Sequence, residues 1–188
     1  MITDENIIIK NILDGNANEF AFFINKYQLM AYNCAFKIVK NNEDAEEIVQ
    51  DSFLKAYNKL FKFDFQKKFS TWLYTIVYNT SISKVRIKSV IQYDIEEISE
   101  SKLNNIKTEL VLLEAKEKKQ YINEAIDNLN EIDALIISLY YLEEQSLSEI
   151  SEITNMKTNT VKVKLHRARE KMYSELYKIL KNEVRDLL

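Results

Sequence analysis

The chain has 188 residues and a formal net charge of −3, and it contains no proline, one glycine and one cysteine. Proline and glycine most often end helices and form tight turns, so their near absence argues against a β-sandwich or a barrel. The composition therefore predicts an all-α fold, and the length allows one large domain or two small ones. No apolar run approaches the roughly 18 residues of a membrane span. We expect a cytoplasmic protein without direct membrane insertion, because the first residues are acidic and the lone Cys34 cannot form an internal disulfide.

Enzymatic chemistry has little support in this sequence. A Ser/His/Asp or Cys/His set would have to use His166, which is the only histidine and stands among lysines and arginines. A glycine-rich phosphate loop and a cluster of metal ligands are both missing from the pattern. We therefore predict no catalytic residue, no metal site and no cofactor. Cys34 follows Ala31 at helical spacing, which favours a small core residue over a nucleophile.

Charge is unevenly distributed along the chain. Residues 43–51 carry five acidic side chains and no basic one. Residues 157–171 carry six basic side chains against the single acid Glu170. An acidic and a basic surface on one chain suggest two different partners.

Apolar periodicity predicts four helices in the first half, over about residues 4–13, 17–40, 42–60 and 70–88. Gly15 is suited to end the first helix, and Asn42 is a candidate N-cap of the third, whose acidic first turn complements the helix dipole. The buried face of the third helix is predicted to include Phe53 and Tyr57. Trp72, in the fourth helix, is interpreted as a core residue.

Residues 89–107 are acidic and lack a sustained period, which favours a linker; another surface helix is the alternative. We therefore predict two small helical domains, at 1–90 and 108–188, joined by a linker at 91–107.

The second domain contains a helix-turn-helix pattern. The segments 146–154 and 158–180 are both helical in period, and only Asn155, Met156 and Lys157 separate them. In the first of these helices the apolar side is expected to pack and the acidic side to face out. In the second, Val161 and Leu165 belong to the packed stripe and the basic side chains to the opposite face. This context favours DNA contact over a merely solvated charged face, although His166 fits either a base contact or plain exposure.

Two stretches resemble a known family. Residues 44–57 together with 69–79 look like conserved region 2 of extracytoplasmic-function (ECF) sigma factors, and residues 129–169 resemble region 4 of that family. The resemblance implies an alternative sigma factor, a non-enzymatic subunit that binds RNA polymerase core and directs promoter-specific initiation. It also implies contacts with the coiled coil of the largest subunit and with the flap, and control by an anti-sigma factor.

The resemblance assigns three sets of residues. The polymerase-binding set on the acidic helix is Asp44, Glu47, Gln50 and Asp51. The set for recognition and melting of the −10 element is Phe63, Phe65, Gln66, Lys67, Lys68, Asn79, Ser83 and Lys84. The set that would read the −35 element in duplex DNA is Asn159, Thr160, Lys162, Val163, His166 and Arg167.

The chain departs from the family pattern at two positions. Asn130 follows Leu129 where the family usually has Leu-Pro, and Asn155 stands where the turn usually has glycine. Asparagine tolerates the left-handed conformation better than most residues, so the turn is expected to form. The alternative function is a stand-alone helix-turn-helix regulator, for which the region 2 motif would be superfluous.

Overall fold

The computed structural model describes residues 4–88 and 115–186, and every regular element in these two ranges is helical. The predicted linker at 91–107 lies outside the described residues, so the domain boundaries stay predictions. Within the described ranges, none of the helices has both the length and the apolar character needed to cross a bilayer.

The first half contains four α-helices connected by short segments. They are α1 (Asp4–Leu13), α2 (Ala21–Val39), α3 (Asn42–Asn58) and α4 (Phe69–Lys88), with 3₁₀ turns at Ala17–Phe20 and Leu60–Lys62. After α1 the chain turns at Gly15, which has a φ of 113° and so adopts a conformation that glycine tolerates best.

The start of α3 differs by one residue from the prediction. Lys40 ends α2 in the left-handed conformation, and the next residue, Asn41, is the N-cap rather than Asn42. The side-chain oxygen of Asn41 accepts a hydrogen bond from the backbone N–H of Asp44 at 2.9 Å. Asn42 is already helical, and its side chain accepts a hydrogen bond from the Tyr32 hydroxyl. Two adjacent asparagines offer the same capping chemistry, so the sequence spacing alone could not show which of them is the N-cap.

An aromatic cluster forms the core of the first half. The rings of Phe23 on α2 and Phe69 on α4 lie 4.0 Å apart between centroids, and Trp72 packs against Phe69 at 5.7 Å. Phe53 of α3 is buried in the same core, as predicted. Cys34 is buried too, which confirms its interpretation as a core residue.

The second half contains α5 (Ala115–Asp127), α6 (Glu131–Tyr141), α7 (Leu147–Thr154) and α8 (Thr158–Asp186). Asn130, which stands where the family usually has proline, is the N-cap of α6 and accepts a hydrogen bond from the backbone N–H of Asp133 at 2.9 Å. Asparagine at position 130 therefore still starts the helix, through a side-chain hydrogen bond instead of a proline ring.

The helix-turn-helix forms as predicted. Ser146 and Glu149 form a reciprocal capping box at the start of α7. Asn155 ends α7 with φ 54° and ψ 29°, the left-handed conformation that the missing glycine would have supplied. Val161 is fully buried on the inner side of α8, while Met156 packs against the core beneath the turn.

The two halves pack directly on each other. Leu135 and Leu139 of α6 and Ile150 and Ile153 of α7 belong to the same apolar cluster as Phe69 of α4. Buried polar groups also meet across this boundary, since the Thr71 hydroxyl donates a hydrogen bond to the side-chain oxygen of Gln145 at 3.1 Å. The sequence predicted two domains but did not predict that they dock.

Candidate DNA-binding and protein-binding surfaces

The first surface, the recognition face, lies on the first three turns of α8. All six residues of the predicted −35 set are exposed there: Asn159, Thr160, Lys162, Val163, His166 and Arg167. They share one side of the helix because Val161 and Ala168 occupy the buried side. The backbone N–H groups at the start of a helix and the positive end of its dipole favour negative charge nearby.

His166 adds a local contact to the recognition face. Its Nδ1 lies 3.5 Å from a carboxylate oxygen of Glu170, one turn further along α8. The imidazole is exposed and lies next to an acid on its own helix.

The second surface, the aromatic loop, comprises residues 63–68 between the second 3₁₀ turn and α4. Phe63 is only 5% exposed, and its ring packs edge-on against Trp72 and Phe69 at 5.4 and 5.9 Å. Phe65 is 38% exposed, and its backbone carbonyl accepts a hydrogen bond from Asn6 of α1. The ring of Phe65 is therefore partly open to solvent, with Lys10 Nζ 5.9 Å from its centroid, whereas Phe63 anchors the loop from below.

Asp64 shapes the aromatic loop from within. Its carboxylate accepts a hydrogen bond from the backbone N–H of Gln66 at 3.0 Å, which is the two-residue pattern of an Asx turn. The Gln66 side chain is exposed, so its amide is presented to solvent beside Phe65.

The lysines of the aromatic loop contact the second half of the chain. Lys67 Nζ donates to the Glu152 carboxylate, and Lys68 Nζ lies 2.9 Å from a carboxylate oxygen of Glu149. The acidic side of α7 was predicted to face out. Glu152 is exposed, as predicted, but both acids also contact the loop, and this contact was not predicted. It was missed because nothing local identifies a basic partner some 80 residues earlier.

One group in each of these two pairs has a shifted pKa. The hydrogen bond from Lys67 to Glu152 raises the pKa of the lysine above its usual value. Burial alone would raise the pKa of the Glu149 carboxyl, but hydrogen bonds from the Ser146 N–H, Lys68 and the Ser146 hydroxyl outweigh it and hold that pKa below its usual value. Lys67 and Glu149 are therefore held in their charged forms around neutral pH.

The α4 members of the −10 set divide between two surfaces. Asn79 and Ser83 are exposed one turn apart, and the Ser83 hydroxyl donates to the Asn79 carbonyl at 2.8 Å. Lys84 instead points to α3, where its Nζ lies 2.5 Å from Glu47 and 3.5 Å from Asp44. The structure thus joins Lys84 to the predicted polymerase-binding acids rather than to the aromatic loop.

The third surface, the acidic face, lies on α3. Glu47, Gln50 and Asp51 are exposed, whereas Asp44 is largely covered beside Lys84. The hydrogen bond that Lys84 donates to Glu47 raises the pKa of the lysine, so Lys84 stays charged and offsets part of the negative charge of the acidic face.

Two apolar residues extend the acidic face and were missed by the sequence reasoning. Leu54 is 60% exposed and Tyr57 is 40% exposed, at spacings of four and seven residues from Gln50. The assignment of Tyr57 to the buried face was wrong, because its ring touches Phe20 only from the rim of the core, at 5.2 Å. The available signal was the i, i+4, i+7 spacing from Gln50, which places these residues on the acidic side.

Comparison with known proteins identifies both halves of the chain. Residues 23–89 match Sigma-70 region 2, and residues 119–172 match Sigma-70, region 4. The ECF RNA polymerase sigma factor SigW of Bacillus subtilis (strain 168) is 33% identical over 176 residues, which cover 89% of this chain and 94% of SigW. The ECF RNA polymerase sigma-E factor of Escherichia coli (strain K12) is 26% identical over 188 residues, covering 96% of this chain and 97% of that protein.

Solved structures share the fold. RpoE of Bartonella quintana, crystallised with the anti-sigma factor NepR, superposes with a TM-score of 0.62 at 20% identity, over 85% of this chain and 97% of RpoE. CnrH, solved in complex with the cytosolic domain of CnrY, gives a TM-score of 0.59 at 18% identity, over 92% of this chain and 96% of CnrH. Region 2 precedes region 4 in the chain, and the similarity to SigW covers nearly the full length of that protein. The chain therefore belongs to the ECF family of RNA polymerase sigma factors.

Proposed function

We propose that this sigma factor binds RNA polymerase core and directs it to promoters, reading the −35 element as duplex DNA and holding the −10 element as a melted strand. One observation carries the proposal: a single chain exposes an acidic face on α3 and a basic recognition face on α8. A simple operator-binding protein would need only the second of these.

The acidic face is the proposed docking site for polymerase core. Its exposed carboxylates, Glu47 and Asp51, suit a basic partner helix, here the coiled coil of the largest subunit. Leu54 and Tyr57 would supply the apolar contact at the centre of that interface, because exposed carboxylates give orientation and rate more than affinity. The second domain would make a further contact with the flap.

The recognition face is proposed to enter the major groove of the −35 element. The N-terminal residues of a second helix in a helix-turn-helix reach base edges, so Asn159 and Thr160 are placed to contact bases or phosphates. Arg167 can pair with guanine or with phosphate, and Lys162 with phosphate. A well-made bidentate base contact is worth roughly 1–3 kcal/mol of discrimination.

The aromatic loop is proposed to capture the non-template strand of the melted −10 element. Phe65 offers a ring on which an unstacked base can stack, a contact worth about 1–3 kcal/mol. Gln66, Asn79 and Ser83 add polar groups for base edges, while Lys67 and Lys68 would follow the backbone phosphates. Phe63 would act from below, by fixing the loop on Trp72.

The same proposal includes a protein partner besides polymerase and a location in the cell. An anti-sigma factor is a proposed partner, in line with the complex of RpoE with the anti-sigma factor NepR. The chain would act in the cytoplasm as a non-enzymatic subunit, with the chemistry of RNA synthesis left to the core.

Reconstituted transcription tests the proposal. Purified bacterial core with this protein on genomic fragments should give discrete start sites that core alone does not give. The variant Asp51→Lys reverses charge on the acidic face and should abolish both core binding and these transcripts. Asp14→Lys makes the same charge change at the end of α1, away from the acidic face, and should leave both intact.

Two results would contradict the proposal. Transcription at the core-only background would exclude a sigma function. Nanomolar, sequence-specific duplex binding without core, together with transcripts unaffected by Asp51→Lys, would favour the stand-alone regulator instead.

A further inference from the structure

The centre of the recognition face is apolar. Val163 is 51% exposed on α8, and it stands between two pairs of exposed polar residues. Asn159 and Thr160 lie one turn before it, and His166 and Arg167 lie one turn after it. Residues three and four positions apart are neighbours on a helix surface, so these four side chains surround Val163.

The position of Val163, more than its exposure, makes it unusual. Single apolar residues are common on protein surfaces and by themselves indicate no function. Valine is, however, a weaker helix former than the basic residues at neighbouring exposed positions such as Lys162 and Arg169. It also occupies the middle of the side of α8 that a helix-turn-helix turns towards the bases. A contact with DNA would account for an apolar residue at this place.

Contacts at both ends of the recognition face hold this valine in a fixed position. At the start of α8, the Thr158 hydroxyl donates a hydrogen bond to Ser151 Oγ of α7 at 3.3 Å. About two turns beyond Val163, Lys171 Nζ lies 3.0 Å from a carboxylate oxygen of Asp133, a buried residue of α6. Because α8 is tied to α7 at one end and to α6 at the other, Val163 is presented on a helix whose orientation is set before DNA arrives.

Thymine offers an apolar group in the major groove, the methyl group on its C5 atom. The other groups that distinguish base pairs in this groove are hydrogen-bond donors and acceptors. A valine side chain cannot pair with a donor or an acceptor, and covering such a group would leave it without a partner. The side chain of Val163 therefore matches the thymine methyl group better than any other base edge.

We propose that Val163 is a specificity-determining residue of the −35 surface, whose side chain packs on the C5 methyl group of one thymine. The four polar neighbours then contact the bases or phosphates around that thymine. The inference rests on the proposed entry of the recognition face into the major groove. It adds a discrimination between thymine and the other bases at one position of the −35 element.

Deoxyuridine tests this contact, because it lacks only the C5 methyl group of thymine and keeps the same base pairing. The probes are duplexes of the −35 element from the promoter mapped by transcription, with each thymine of either strand replaced in turn. Anisotropy gives their affinities for the full chain bound to polymerase core. We expect the replacement of one thymine to weaken binding about fourfold, the factor that corresponds to roughly one buried methyl group.

Val163→Ala removes the protein side of the same contact. This variant should bind the unmodified −35 duplex about fourfold more weakly, and at the sensitive position it should bind thymine and deoxyuridine equally well. Its urea midpoint should match that of the native chain, because the truncated side chain is exposed. Lys162→Ala is the matched control on the same helix. Loss of a phosphate contact should weaken binding to every probe by the same factor and leave the ratio of thymine to deoxyuridine affinities unchanged.

Two results would overturn the role of Val163 while leaving the proposed function intact. One is equal affinity of the native chain for all deoxyuridine probes and the unmodified duplex. The other is a loss that persists unchanged in Val163→Ala, since it would then come from the DNA or from another side chain. A native complex that does not prefer the −35 duplex over a scrambled duplex would instead contradict −35 reading itself, and the inference would fail with it.

Discussion

The two surfaces proposed to read DNA, the recognition face and the aromatic loop, are built in different ways. The recognition face lies on a regular helix, and its six residues are exposed in the free chain. The aromatic loop is irregular backbone held from below by Phe63 and Trp72, with both of its lysines in contact with α7. The recognition face is thus open to solvent on a regular helix, whereas the lysines of the aromatic loop already have partners on α7.

The largest expected effect comes from removing the support of the aromatic loop. Phe69→Ala truncates a side chain that is 1% exposed and touches Phe23, Phe63 and Trp72. The free energy of unfolding should fall by about 3–5 kcal/mol because a large cavity is left in the core. Urea denaturation measures this directly.

Phe61→Ala is the matched control for that experiment. Phe61 is 67% exposed in the adjacent 3₁₀ turn, so its truncation should change the unfolding free energy by no more than about 0.5 kcal/mol. Equal losses in the two variants would show that the packing under the loop is not what stabilises it.

An intermediate effect is expected on the recognition face. Arg167→Ala should weaken binding to duplex DNA carrying the −35 element by about 1–3 kcal/mol, and the unfolding free energy should stay nearly constant because the side chain is exposed. Fluorescence anisotropy at fixed salt gives the affinity. Lys178→Ala, further along α8 and paired with Glu175, is the control, and a comparable loss there would indicate only nonspecific attraction.

The smallest effect is a pH dependence of the docking between the halves. Burial raises the pKa of Glu143 above the ordinary value of 4.5, although the hydrogen bond from Tyr74 opposes this. The folded state therefore binds this proton more tightly than the unfolded state, and the stability it contributes is lost as the pH rises from 4.5 through the raised pKa. The reverse holds for Glu149, whose lowered pKa makes its contribution disappear as the pH falls below 4.5.

Glu143→Gln separates these two opposing contributions. Urea midpoints at several pH values between about 4.5 and 7 should depend less on pH in this variant than in the native chain, with a gain in stability at the upper end of the range. An identical pH profile in both proteins would contradict the assignment to Glu143.

The contrast between the two surfaces also marks the limit of sequence reasoning. The helix-turn-helix could be predicted because its signals are local: the cap at Ser146, the left-handed Asn155 and the buried Val161 all lie within 16 residues. The pairing of Lys67 with Glu152 joins residues 85 positions apart, and no local pattern encodes it. The exposure of Tyr57 was missed for a related reason, since an aromatic residue at helical spacing fits the core and its rim equally well.

The central claim is that one chain binds polymerase core through the acidic face and brings two separate surfaces, the recognition face and the aromatic loop, to promoter DNA. Affinities for a −10 single strand and for a −35 duplex, each measured by anisotropy with the free chain and with the chain bound to polymerase core, test it most directly. Binding to core should increase both affinities, and Asp51→Lys should remove the increase. Affinities that are the same with and without core would contradict the account.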